Sequence, residues 1–167
     1  KADMLFVNKE EAEMLLMDKP TEQNDKGYIG GLLKQLQAMG PKTVIVTDGK
    51  NGSYGIDEHG EMHWLAIDGG KVVERTGAGD AYTSAFIAAT LSGLSLEKAM
   101  EWGAHNSTSV VSKIGAQAGL LTREEIEHFS LEQGEEADES KEVKTLEASQ
   151  VSAAAEQPPS FMPAPLE

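Results

Sequence analysis

The sequence of 167 residues contains no cysteine, which excludes disulfide bonds, a zinc site built on thiolates and a cysteine nucleophile. It also contains no run of the roughly 18 to 20 apolar residues that a membrane-spanning helix needs. Basic residues are scarce, since 14 Lys and Arg stand against 28 Asp and Glu and the formal net charge is −14. Nucleic acids and anionic membrane surfaces bind clusters of Lys and Arg, so we expect neither as a partner.

The first four residues lack the features of a signal peptide, so we expect the protein to be soluble and cytoplasmic. Because the sequence begins with Lys1 rather than Met, we also expect an upstream part of the protein. The length suits one domain with a sizeable core.

The composition of the chain changes near residue 131. Residues 132–167 are rich in Ala, Ser, Gln and Pro, and their nine acidic residues against two lysines account for half of the net charge. Such a segment buries too little apolar surface to fold, so we predict a disordered acidic tail over residues 131–167. Residues 1–130 are predicted to form the folded domain.

Short apolar runs that are typical of strands alternate with segments of helical periodicity. Strands are predicted at residues 4–7, 43–47, 53–57 and 62–67, and helices at residues 9–17, 27–39, 81–91, 96–114 and 122–129. The run Thr43–Thr47 is β-branched throughout, which predicts a strand buried on both faces, and residues 53–67 are predicted to form a hairpin. The alternation favours an α/β layered fold with a mostly parallel central sheet flanked by helices.

The segment Thr76-Gly77-Ala78-Gly79-Asp80 stands where a loop is predicted to enter a helix. Two glycines allow a tight turn and the close approach of a ligand, and the first amides of a helix attract anions. A carboxylate at this place, Asp80, is suited to accept a proton from a hydroxyl that attacks phosphorus. A second interpretation is structural, because an acid in the first helical turn also complements the helix dipole. These five residues alone leave both interpretations open.

Two other phosphate-binding motifs do not fit the sequence. The P-loop pattern G-x-x-x-x-G-K-[ST] is not completed at Gly49-Lys50 or at any other glycine. A dinucleotide fingerprint G-x-G-x-x-G that began at Gly77 would need glycine at position 82, where Tyr82 stands. An NAD-binding module is therefore disfavoured.

The residues from Val73 to Tyr82, VERTGAGDAY, resemble a signature of the ribokinase-like, or PfkB, carbohydrate kinases that is usually written D-T-T-G-A-G-D-x-F. Further segments fall in the order of that family. Residues 7–11 resemble its N-x-x-E motif, residues 46–52 its T-x-G-x-x-G nucleotide loop, and residues 106–116 its adenine-side helix and loop. The resemblance spans residues 5–129 and corresponds to the second half of such a kinase.

The resemblance implies a ribokinase-like fold and a reaction in which ATP phosphorylates an alcohol of a small-molecule sugar or nucleoside. Asp80 would be the general base that deprotonates this alcohol. The amides of Gly77, Ala78 and Gly79 would form an anion hole for the γ-phosphate.

The resemblance also implies sites for Mg²⁺ and for the nucleotide. Asn8 and Glu11 would organise Mg²⁺, largely through water, although the same pair is also the pattern of a capping box at the start of a helix. The nucleotide contacts implied by the resemblance are Thr47, Gly49, Gly52, Asn106, Gly115 and Ala116. Two structural alternatives stay open, a plain turn after the strand at Thr47 and a polar residue on an exposed helical face at Asn106.

The sequence departs from the family pattern at three positions. Glu74 and Arg75 stand where the family commonly has Asp and Thr, and in many members that Asp belongs to a monovalent-cation site, so the departure argues against activation by potassium. Tyr82 replaces the usual Phe, which we expect to alter core packing only mildly.

Our leading hypothesis is the C-terminal half of an ATP-dependent kinase for a sugar or nucleoside. The alternative is a noncatalytic relative, or a truncated half-domain, that binds a nucleotide or a partner without turnover. A half-domain would expose a sheet edge and apolar surface, so we also expect association, with a homodimer as its simplest form.

Overall fold

The computed structural model describes residues 2–17, 26–67, 72–128 and 144–145. The strands are β1 (Met4–Asn8), β2 (Thr43–Thr47), β3 (Ser53–Ile56), β4 (Met62–Leu65) and β5 (Lys144–Thr145), and the helices are α1 (Lys9–Leu15), α2 (Lys26–Ala38), α3 (Ala78–Leu91) and α4 (Leu96–Val111). A 3₁₀ turn at Gly49–Asn51 follows β2, and residues 123–128 are helical. These elements confirm the predicted order of strands and helices up to residue 128.

The strands form one sheet in the order β1-β2-β3-β4-β5. Strands β1 and β2 are parallel, whereas each later pair is antiparallel. The α/β fold is therefore confirmed, but the described sheet is mixed rather than mostly parallel. The reason is the short connection after β2, because five residues suffice for a hairpin while a parallel crossover needs about a dozen.

Strand β2 separates two hydrophobic cores. Val44 and Val46 are fully buried on the side of α1 and α2, and Ile45 is fully buried on the side of α3 and α4. This alternation confirms the prediction that the strand is buried on both faces, and it produces a layered arrangement with helices on each side of the sheet.

Strand β1 lies at one edge of the described sheet. Helix α1 packs beside it on one face, and Phe86 of α3 contacts Phe6 of β1 on the other with ring centroids 5.0 Å apart. Both helices carry exposed apolar side chains, which include Leu15 and Leu91. An open edge flanked by apolar surface is consistent with association, and the homodimer stays a prediction.

No helix in the described parts of the chain combines the length and the apolar character that crossing a bilayer requires. The predicted tail over residues 131–167 lies outside the described residues apart from positions 144 and 145, which pair with Trp64 and His63 of β4. The disorder of the tail therefore stays a prediction.

Candidate active site

One end of the sheet brings together residues that the sequence places in separate motifs. Asn8 lies opposite Thr47 in the parallel pair, Thr47 lies opposite Ser53, and Ser53 lies opposite Leu65. Asn8 and Thr47 are the last residues of β1 and β2, so they stand at the carboxyl ends of parallel strands. In open α/β sheets this edge is where ligands commonly bind.

Asn8 and Glu11 form a reciprocal capping box at the start of α1. The Glu11 N–H donates to Asn8 Oδ1 at 2.8 Å, and the Asn8 N–H donates to Glu11 Oε2 at 2.9 Å. The second carboxylate oxygen of Glu11 is not used in this box, and the Glu11 side chain is exposed. Mg²⁺ favours oxygen ligands and keeps much of its water, so this pair fits a contact with the ion through water better than a complete set of direct ligands. No group of three or more metal-binding side chains occurs among the described residues.

The hairpin loop between β2 and β3 runs from residue 48 to residue 52. The Gly52 carbonyl accepts the Asp48 N–H at 2.8 Å, which closes the loop. Gly52 has a φ of +102°, and a Cβ atom there would clash with the carbonyl oxygen of Leu65. Gly49 also has a positive φ, of +49°, but open space surrounds it. The loop is therefore tightly packed at Gly52, whereas open space surrounds it at Gly49.

Gly77 is the residue that turns the chain into α3. Its φ of +86° lies in the left-handed region, and a Cβ atom there would lie 2.6 Å from the carbonyl oxygen of Ala116. Two groups of predicted site residues, the start of α3 and the loop at positions 115 and 116, are thus in direct contact. Gly79 faces open space, and Asp80 is exposed in the first helical turn.

The first amides of α3 differ in their surroundings. The Ala78 N–H donates to the Arg75 carbonyl at 3.2 Å, and the Gly77 carbonyl accepts the Ala81 N–H at 2.9 Å as the first bond of the helix. Gly77 has no side chain that could cap the helix. The amides of Gly79 and Asp80 therefore stand at the positive end of the helix dipole, where an anion is favoured.

Glu74 holds the loop after α4 against the segment before α3. Its Oε2 accepts the Gly115 N–H at 2.8 Å, and its own N–H donates to the Val111 carbonyl at 3.2 Å. The hydrogen bond from Gly115, supported by one with the Thr76 side chain, lowers the pKa of Glu74, while desolvation opposes this shift. The sequence alone does not reveal this contact of Glu74, because its partner Gly115 lies 41 residues away.

Asn106 is buried between α4 and the start of α3. Its side chain is only 3% exposed, its Nδ2 donates to the Ala81 carbonyl at 2.8 Å, and its Oδ1 accepts the Leu121 N–H at 2.9 Å. Both polar groups have partners within the protein, and the contact with a nucleotide stays a prediction. The alternative of a polar residue on an exposed helical face is wrong, because the side chain is buried. Asn106 fastens α4 to the first turn of α3.

Tyr82 makes a contact that was not predicted from the sequence. Its hydroxyl donates to Ser53 Oγ at 2.9 Å, and both side chains are buried. Burial raises the pKa of Tyr82, and the bond to Ser53 opposes this shift. The only feature of the sequence that indicates this contact is the hydroxyl that Tyr82 has and the usual Phe lacks, because a polar group in a buried position needs a hydrogen-bond partner. This bond joins α3 to the row of residues at the carboxyl ends of β1 and β2.

The pfkB family carbohydrate kinase model matches residues 1–123 of this chain. A relative from Halalkalibacterium halodurans that is named 5-dehydro-2-deoxygluconokinase is 29% identical over 127 residues, which are 76% of this chain and 37% of the relative. The chain thus spans less than two fifths of the length of that relative.

Solved structures of ribokinases share the fold. The ribokinase of Thermotoga maritima superposes with a TM-score of 0.66 at 28% identity, over 77% of this chain and 42% of that one. The Arabidopsis thaliana ribokinase complexed with ribose and ATP gives a TM-score of 0.67 at 28% identity, over 75% of this chain and 40% of that one.

The contact between Gly77 and Ala116 predicts different effects for two glycine substitutions. Gly77→Ala places a side chain at a φ of +86° and against the Ala116 carbonyl, so we expect the free energy of unfolding to fall by about 1 to 3 kcal/mol. Gly79→Ala is the matched control, because its added Cβ meets no atom within 4 Å, and we expect no loss and a gain of up to about 1 kcal/mol. Urea denaturation of both variants measures the difference, and equal losses would contradict the role given to Gly77.

The lowered pKa of Glu74 predicts that its hydrogen bond with the Gly115 N–H depends on pH. Folding lowers the pKa of Glu74 because the carboxylate accepts the Gly115 N–H. The stabilisation of the folded state by this charged group is therefore complete above the ordinary pKa of 4.5, and it is lost as the pH falls through the lowered value. The NMR signal of the Gly115 amide should therefore titrate with a midpoint below pH 4.5, and Glu74→Gln should abolish this titration.

Glu125→Gln is the control for this titration, because Glu125 is a second acid whose pKa is lowered by hydrogen bonds. The larger effect comes from the Thr122 backbone and the smaller from the Thr122 side chain. This variant should leave the titration of the Gly115 amide unchanged. A Gly115 signal that follows Glu125, or that does not respond to acid, would show that Glu74 does not hold the loop.

Proposed function

This chain belongs to the pfkB family of carbohydrate kinases, and on that premise we propose that it is the catalytic part of an enzyme that transfers the γ-phosphoryl group of ATP to a hydroxyl of a sugar. The observation that carries the proposal is the position of Asp80 in the first turn of α3, where exposed carboxylate and helix amides stand together. The activity is proposed for the protein that contains this chain, since the chain spans less than two fifths of the H. halodurans relative.

Asp80 is proposed to act as the general base. The acceptor hydroxyl attacks the γ-phosphorus, a new oxygen–phosphorus bond forms, and the bond from the γ-phosphorus to the oxygen shared with the β-phosphate breaks. The proton of the hydroxyl passes to the Asp80 carboxylate, and ADP leaves. A base within reach of the hydroxyl contributes about 10²- to 10⁴-fold to the rate of such a step.

The start of α3 is proposed to stabilise the negative charge on the transferred group. The amides of Gly77, Ala78 and Gly79 form the anion hole, with the helix dipole adding to their effect. The Ala78 N–H is bonded to the Arg75 carbonyl, so the Gly79 amide is the best placed of the three in the described arrangement. Charge stabilisation of this kind, together with positioning, accounts for most of the catalysis of phosphoryl transfer.

The nucleotide is proposed to lie between two loops. Thr47, Gly49 and Gly52 belong to the hairpin loop after β2, and Gly115 and Ala116 belong to the loop that touches Gly77. Glycine suits both loops because phosphate groups approach the backbone closely.

Asn8 and Glu11 would hold Mg²⁺ through water, at the end of β1 next to Thr47. When bound, the ion would neutralise charge on the phosphates of ATP. The chain itself contributes the orientation of the Glu11 carboxylate, which the capping box fixes.

The acceptor is proposed to be a sugar rather than a nucleoside. The supporting observations are the names of the relatives, a 5-dehydro-2-deoxygluconokinase among the curated proteins and ribokinases among the solved structures.

Replacing Asp80 tests the proposed base in the full-length protein. Asp80→Asn keeps the size of the side chain but removes the proton acceptor, so we expect kcat for ADP release from Mg·ATP to fall by about 10²- to 10⁴-fold while nucleotide binding is retained. A panel of sugars and nucleosides serves as acceptors, and calorimetry with an ATP analogue measures binding.

Glu97→Gln is the matched control, because Glu97 is an acid in the first turn of α4, away from the proposed site. It should change kcat less than twofold, because Glu97 touches neither reactant in the proposed mechanism. Turnover by Asp80→Asn equal to that of the unmodified protein would rule out the assigned base. A folded protein that binds ATP but releases no ADP with any acceptor would favour a noncatalytic function.

A further inference from the structure

A buried hydrogen bond links the start of α3 to the hairpin loop after β2. Tyr82 is 2% exposed and Ser53 is fully buried, and the two side chains meet at 2.9 Å although 29 residues separate them in the sequence. Both residues are next to proposed site residues, because Tyr82 follows Asp80 by two positions and Ser53 follows Gly52 directly. The bond therefore spans the two halves of the proposed active site.

The Tyr82 ring is held so that its hydroxyl has little freedom. It stacks against Phe86 with ring centroids 6.4 Å apart, and a Cβ atom on Gly103 of α4 would lie 2.9 Å from the ring. Closely packed side chains transmit displacement rather than absorb it. A shift of α3 along the sheet would thus move the hydroxyl with it.

The Ser53 end of the bond is equally constrained. Ser53 begins β3 and lies opposite both Thr47 and Leu65 in the sheet. The preceding residue, Gly52, leaves no room for a Cβ atom beside the Leu65 carbonyl and accepts the Asp48 N–H at 2.8 Å. The sheet therefore holds Ser53 Oγ in place at the end of the hairpin loop.

We propose that Tyr82 is a positioning residue, whose hydroxyl bond to Ser53 aligns Asp80 and the α3 amides with the nucleotide held by the hairpin loop. This inference rests on the proposed function. Tyr82 touches neither reactant in this account and acts through the placement of α3 relative to the loop. Misalignment by about 1 Å between reacting groups can reduce the rate of an enzyme about 100-fold, so a single bond between the two halves is enough to matter.

The test is a double-mutant cycle in the full-length protein, with Tyr82→Phe, Ser53→Ala and the double variant. Tyr82→Phe keeps the ring and its packing and removes only the hydroxyl. Each single variant should lower kcat by about 10- to 100-fold, with KM for ATP and for the sugar changed less than about threefold, because neither substitution removes a group that is proposed to contact a reactant. The double variant should be no slower than either single variant, since all three lack the same bond.

Tyr28→Phe is the matched control, because the Tyr28 hydroxyl donates to Glu13 Oε1 at 3.0 Å on the opposite side of the sheet. It should leave kcat unchanged. A fall in the melting temperature of Tyr82→Phe with unchanged kcat would show that the bond only stabilises packing, and losses that add in the double variant would show that the two hydroxyls act separately. Either result overturns the proposal.

If a single variant fails to fold, the double variant decides, because it leaves neither buried hydroxyl without its partner. Its kcat should be reduced, and a normal kcat would overturn the proposal. A second readout distinguishes this proposal from the proposed function. Hydrogen exchange of the amides of residues 48–52 should be faster in Tyr82→Phe than in the unmodified protein even if no acceptor is phosphorylated, and unchanged exchange in an inactive protein would refute the link itself.

Discussion

The left-handed conformation of Gly77 is the constraint on which the candidate site depends. Its φ of +86° turns the chain into α3, and the absence of a side chain lets the Ala116 carbonyl approach. The same turn leaves the Gly79 amide and the Asp80 carboxylate at the exposed start of the helix. One backbone conformation thus sets the direction of the helix dipole and the contact between two loops, and no other residue adopts that conformation at so low a cost.

Much of the fold could be predicted from the sequence because its signals are local. The β-branched run of β2 predicted burial on both faces, and Val44, Ile45 and Val46 confirm it. The helix predicted from residue 122 is also present, and it begins with a capping box in which the Thr122 N–H donates to Glu125 Oε2 at 2.7 Å. The mixed sheet was not predicted, because pairing direction depends on how a short loop folds back, and alternation of strands and helices does not reveal that.

The parts of the site that escaped prediction are side-chain contacts between distant segments. Asn106 looked like a ligand-facing residue, yet it bonds to Ala81 and Leu121, which lie 25 and 15 residues away. Tyr82 looked like a mild change in packing, yet its hydroxyl reaches Ser53. A motif identifies residue types and spacing, whereas the partner of a buried polar group is chosen by the tertiary fold. Both side chains hold α3 in place, Asn106 from α4 and Tyr82 by joining α3 to Ser53 of the sheet. These unpredicted contacts therefore concern how the site is positioned.

The central claim is that the start of α3 and the loop after β2 form one site for phosphoryl transfer. The most direct test is a crystal structure of the full-length protein with Mg²⁺, a nonhydrolysable ATP analogue and its sugar. The account predicts the terminal phosphate within hydrogen-bonding distance of the Gly79 amide, a sugar hydroxyl beside the Asp80 carboxylate, and the remaining phosphates along residues 47–52. A nucleotide bound elsewhere, or a terminal phosphate that points away from α3, would contradict the account.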